Sequence, residues 1–104
     1  MKEGDTASSP AAVFRCLRAY LGLTPPQLAG ALSLSPRTVQ RFEAGTASIP
    51  PAVFTDLVRL AEDMERAAAH YVAVGEVRIG GLPRLGERAV GQALREHPEL
   101  RVTM

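Results

Sequence analysis

The sequence has no tryptophan, three phenylalanines and two tyrosines. With so few aromatics, a core has to be filled mainly by Leu, Val and Ala, an inventory that suits packed helices. A single cysteine, Cys16, excludes an intrachain disulfide and any cysteine-rich zinc site. The two histidines, His70 and His97, are too few and too far apart to suggest a metal site, and no metal or cofactor is expected. No apolar run approaches the roughly 20 residues that span a bilayer, and the opening segment "MKEGDTASSP" is polar. A cytoplasmic protein without a membrane partner is the expectation. Excess charge of one sign is also lacking. Twelve basic residues stand against eleven acidic ones, which argues against non-specific polycation binding and leaves a local basic patch open. Apolar residues make up 46% of the 104 and charged ones 22%, a balance that supports one small core rather than wholesale disorder. Neither internal repeats nor low-complexity blocks occur.

The start and stop signals are strong. Residues 1–9 have the Ser, Gly and charge content of a flexible tail. From Pro10, the residues Val13, Phe14, Leu17 and Leu21 recur at helical spacing, and Gly22 ends that helix. Thr24 opens another as an N-cap, with Pro25 at the first helical position and Gln27 at the capping-box position. Ser35-Pro36 repeats the signal, and Gly45 closes a third helix at about 36–44. A longer helix is expected over 51–70, with Phe54, Leu57, Val58, Ala61, Met64 and Ala68 as its stripe. At Tyr71 the pattern changes: "YVAVGEVRIGG" alternates like a strand, with Gly75 as a bulge. Helical period returns over 82–96 until His97-Pro98, and Leu100, Val102 and Met104 form a last strand. The expected fold class is mainly α, a helical bundle over 10–70 followed by a small strand–helix–strand element over 71–104.

Most chemistry-bearing groups have a bland explanation. Cys16 reads as a small core or boundary residue, and Asp56, Glu62, Asp63 and Glu65 as a solvated acidic face. No Ser/His/Asp or Cys/His constellation is present, and the glycines of "VGEVRIGGLPRLG" lack the spacing of a phosphate cradle. An enzyme is not expected.

The stretch "TPPQLAGALSLSPRTVQRFEAG" is different because its spacing is specific. Counting from Pro25, the small Ala29 falls at the fifth place, where two helix backbones must cross closely. Val39 and Phe42 fall where a second helix must pack onto the first, and Leu28, Leu32 and Leu34 complete the core. A helix-turn-helix needs this arrangement to hold its second helix proud of the surface. Arg37, Thr38, Gln40 and Arg41 then lie on the outer side. Glu43 would weaken phosphate binding if it faced the same way. It follows the inward-pointing Phe42, however, and a helix turns about 100° per residue, so Glu43 belongs on the flank towards the first helix.

On these residues the chain resembles the lambda-repressor-like helix-turn-helix regulators of the Cro and XRE type. "LA" at 28–29, the Ser35 cap, Val39 and "FEAG" ending at Gly45 carry the resemblance. Two positions depart from it: Ser33 stands where a glycine is usual, and Pro25-Pro26 where a phosphate-contacting glutamine is common. The resemblance implies a bacterial or phage-encoded transcription regulator that binds double-stranded DNA. It also implies an ion pair of Arg18 with Glu43. Arg37, Gln40 and Arg41 are the candidates for base contacts, since Arg prefers guanine and Gln adenine in the major groove. Ser35 and Thr38, with the backbone near Thr46 and Ser48, are the candidates for phosphate contacts. The remainder is similar to YdiL-like and anti-CRISPR-associated regulators, which append a small strand–helix–strand dimerisation element. A homodimeric repressor on a palindromic operator follows as the leading expectation, with Leu85, Ala89, Val90, Ala93, Leu94 and Val102 at the dimer interface. The alternative is an antitoxin or other protein-binding module, in which the carboxy-terminal element grips a toxin.

Overall fold

Proline and serine set where the helices begin. A computed structural model describes residues 8–104, so the tail expected over 1–9 lies, up to residue 7, outside the described residues. Helix α1 (Pro10–Leu21) starts at Ser9, whose hydroxyl accepts from Ala12 N–H. Helix α2 (Pro25–Leu32) starts at Thr24 with a complete capping box: Thr24 Oγ1 accepts from Gln27 N–H, and Gln27 Oε1 accepts from Thr24 N–H. Helix α3 (Pro36–Ala44) starts at Ser35, whose Oγ accepts from Thr38 N–H. Each cap supplies an acceptor for a donor the first turn cannot satisfy, worth roughly 0.5–2 kcal/mol.

The three helices also end alike. Gly22, Ser33 and Gly45 are left-handed, and the next residue donates its N–H five residues back: Leu23 to Arg18, Leu34 to Ala29, Thr46 to Arg41. These are Schellman-type stops. Glycine takes that backbone freely, whereas Ser33, at φ 57°, carries the strain of a Cβ there.

The described residues form two compact units, divided between Val58 and Arg59 within helix α4 (Pro51–Val74). In the first, α3 packs on both α1 and α2. Its buried residues are Phe14, Leu21, Leu23, Leu28, Ala29, Val39, Phe42 and Leu57. Burying each large side chain contributes about 1.5–3 kcal/mol. Ala29 is buried at the α2–α3 crossing, as the spacing requires, and the Phe14 and Phe42 rings meet edge to face with centroids 5.6 Å apart. Leu32, Leu34 and Phe54 are half-buried. Val13, Cys16 and Val58 are exposed, against expectation. On α1, Cys16 is about 200° from Phe14, so burying Phe14 and Leu21 turns Cys16 outward together with Val13.

The second unit holds strand β1 (Glu76–Arg78), helix α5 (Gly86–Glu96) and strand β2 (Arg101–Thr103). β1 and β2 pair in parallel, with Val77 opposite Val102, and α5 is the crossover that a parallel pair needs. Two boundaries differ from the sequence reading. The strand expected from Tyr71 begins only at Glu76, because α4 continues to Val74. The run "AAAHYVAV" contains no breaker, and Gly75, with φ 88° and its N–H on Tyr71 O, is the stop rather than a bulge. His70 accordingly sits inside α4 and not at its end. The helix expected from residue 82 begins at Gly86, since Pro83 bars the helical region to Leu82 and Leu85 is left-handed at φ 68°.

Candidate nucleic-acid interface

The α3 sequence separates its two faces cleanly. Val39 and Phe42 are buried, while Arg37, Gln40, Arg41 and Ala44 are exposed at helical spacing. A nine-residue helix capped at both ends thus offers two guanidiniums and one carboxamide on one side. These are the side chains whose donor and acceptor patterns match guanine and adenine edges.

Glu43 is turned from that face. Its carboxylate accepts from Arg18 Nε and, at 3.0 Å, from Arg18 Nη2, a fork-on-fork pair. Arg18 Nη1 also donates to Leu23 O at 3.0 Å, which fixes the guanidinium against the end of α1. The side chains are 21% and 14% exposed, so the pair is largely enclosed. Arg15, one turn earlier on α1 and well exposed, brings its Nε to 4.0 Å from Glu43 Oε1. Sequence reasoning missed Arg15, although its three-residue spacing from Arg18 was the available signal. The carboxylate is therefore neutralised from two sides, and no negative charge projects from the flank of α3 next to the arginines.

The polar groups around α3 divide into used and available donors. Ser35 Oγ and Thr38 Oγ1 lie 2.9 Å apart, so one hydroxyl donates to the other and the second hydrogen can point outward. Thr46 is different: its N–H donates to Arg41 O at 3.0 Å and its hydroxyl to the same carbonyl at 3.4 Å. The backbone N–H at Thr46, expected to hold a phosphate, closes α3 instead, because the stop after Gly45 requires it. Ser48 in the following loop is exposed. Gln27 spends its carbonyl oxygen on its own capping box, where it accepts from Thr24 N–H.

The carboxy-terminal residues distribute unevenly. Ala89, Val90 and Ala93 are buried within the single chain, which corrects their expected place on a subunit interface. The apolar stripe of α5 is covered by the chain's own residues. Leu85 and Leu94 are half-buried and Val102 is exposed. Gly86 likewise serves the chain itself, since a Cβ there would lie 2.6 Å from Leu82 Cβ.

No three His, Cys, Asp or Glu side chains cluster to hold a metal ion among the described residues. Nor is any described helix long and apolar enough to cross a membrane. Neither a curated protein nor a solved structure matches the chain. A family model described as a helix-turn-helix domain matches residues 11–78, more than half of the sequence, from the second residue of α1 to the end of β1. With the α2–turn–α3 geometry and the exposed face of α3, this places the chain in the helix-turn-helix domain family, of the Cro and XRE type.

Proposed function

We propose that the protein is a sequence-specific repressor that binds a palindromic operator as a homodimer, with α3 as the recognition helix. The observation that carries this reading is the exposed Arg37, Gln40 and Arg41 face beside a carboxylate that Arg18 holds away from it. Arg37 and Arg41 donate to guanine O6 and N7, and Gln40 pairs with adenine. Ser35, Thr38 and Ser48 hold the phosphates that set register, with Arg15 as a further cation at the rim. Residues 10–70 do the reading. Residues 71–104 join two copies, so that two α3 helices meet half-sites about 34 Å apart. Repression then needs only occupancy, since a dimer seated across a promoter excludes other proteins from it.

Selection of bound sequences from a random duplex pool, using the full chain alone, tests the reading. An enriched inverted repeat supports it. Recovery of no sequence preference, or binding that appears only with a second polypeptide, refutes it.

A further inference from the structure

The β1–β2 ladder decides which backbone groups of β2 remain outward. Arg101 N–H donates to Gly75 O at 3.2 Å, and Ile79 N–H donates to Thr103 O at 2.9 Å. In a parallel pair, a residue that turns both its N–H and its C=O to the neighbour alternates with one that turns both away. Arg101 and Thr103 therefore serve β1, and Val102 presents its N–H and C=O to the opposite edge. All three residues of β2 are exposed. Side-chain alternation puts Leu100, Val102 and Met104 on one face of the strand, and of these Val102 is 37% and Met104 83% exposed.

We propose that this edge is the docking site for a second copy of the chain. The two β2 strands pair antiparallel about a two-fold axis at Val102, giving a four-stranded sheet in the order β1-β2-β2-β1. The proposal rests on the homodimer reading and specifies its contact. Five considerations select a second copy in this register. An antiparallel hydrogen-bonded pair is self-complementary: Val102 and the partner's Val102 exchange both bonds across the axis. Centring on Leu100 is excluded, because its N–H already donates to His97 O at 3.0 Å. Centring on Arg101 is excluded twice over, since its backbone groups serve β1 and its guanidinium would face the partner's Arg101. Centring on Val102 sets Arg101 opposite the partner's Thr103 and Met104 opposite the partner's Leu100, so that exposed apolar atoms are covered. It also relieves a thin element, because a two-stranded sheet of three-residue strands is marginal and a four-stranded one is not.

Val102→Pro in the full chain is the direct test. Of the backbone donors of β2 it removes only the outward N–H, and it leaves the Arg101 and Thr103 bonds to β1. An edge residue whose N–H faces solvent tolerates proline. Sedimentation over a concentration series should show the wild type at twice 11.1 kDa and the variant at 11.1 kDa, with far-UV circular dichroism unchanged. A second measurement holds if the proline variant unfolds. With Cys16→Ser, Val102→Cys should form an intersubunit disulfide on mild oxidation, because Cα atoms of such a pair lie about 5.5 Å apart. Arg101→Cys and Thr103→Cys should link far more slowly. A wild type that stays monomeric overturns the homodimer reading and this contact together. A dimer unaffected by Val102→Pro, or crosslinking no faster at position 102 than at 101 and 103, overturns the contact and leaves the homodimer standing.

Discussion

Glu43→Gln changes one atom and removes one charge, which makes it the sharpest probe of how α3 is held. In the wild type, two carboxylate oxygens accept two guanidinium N–H groups from Arg18. Glutamine keeps one acceptor and turns an NH2 group towards a guanidinium donor. The loss combines the attraction between two charges, about 4 kcal/mol at 4 Å and an effective dielectric near 20, with the desolvation that attraction had offset. Breaking one side of a fully buried pair costs about 3–5 kcal/mol. Here the partners keep 21% and 14% exposure, and Leu23 O still accepts from Arg18, so the cost falls at or just below the bottom of that range, about 2–3 kcal/mol. For a domain of this size each kcal/mol moves the melting temperature by roughly 4–8 °C, giving a fall of about 10 °C or more. Thermal and urea unfolding followed by circular dichroism measure it. An enclosed pair is poorly screened, so the loss should persist in high salt. A double-mutant cycle with Arg18→Met should return most of it as coupling energy. Operator preference, assayed well below the melting point, should not change. Unaltered stability with tighter binding to every DNA sequence would show that the carboxylate faces phosphates, and the account of α3 would fail.

Arg41→Ala should cost about 1–3 kcal/mol per half-site and relax preference at one operator position, read by repeating the sequence selection. Thr38→Ala should instead weaken all sequences about equally, so a change of preference there would misplace the phosphate contacts. Ser33→Gly should stabilise the fold by about 1 kcal/mol by relieving the left-handed Cβ, and a drop in the unfolding midpoint would contradict that. A chain ending at Val74 should keep its helical spectrum, run as a monomer on light scattering and lose most operator affinity. A truncated chain that still dimerises would move the interface to the helices.

Those elements whose signals are local were legible in the sequence. Thr24 with Gln27, Ser35-Pro36, Gly22 and Gly45 each fix a helix end through groups within five residues, so α2 and α3 start and stop where the chain says they should. Ala29, Val39 and Phe42 were legible for a related reason: two helices joined by a short turn have few ways to pack, and spacing selects one. Tyr71–Val74 was misread because two valines in alternation fit a helix as well as a strand when alanines precede them. Leu85 was hidden for the opposite reason. A leucine at φ 68° is imposed by its surroundings, here a turn at Pro83 and Gly86 packed on Leu82, and no residue type announces it.

The candidate site divides along the same line. Which way Glu43 points follows from helix geometry and Phe42, yet the second cation near it, Arg15, comes from a contact between α1 and α3 that only the packed bundle defines. In the carboxy-terminal element the difficulty goes deeper. An apolar stripe on a helix states that something must cover Ala89, Val90 and Ala93, but not whether that cover is the same chain or another copy. The two alternatives bury similar atoms and give the same pattern. Folding resolves it, because cover supplied by the same chain needs no association, and these three residues are buried in the monomer. What remains for a partner is a set of unpaired backbone groups, whose direction depends on the phase of the β1–β2 ladder. Shifting that register by one residue would turn Arg101 outward and Val102 inward, from the same three letters. A homodimer contact made mainly by backbone should therefore tolerate side-chain changes at Arg101 and Thr103 and fail at a proline in position 102, the reverse of what an interface built on an apolar stripe would do.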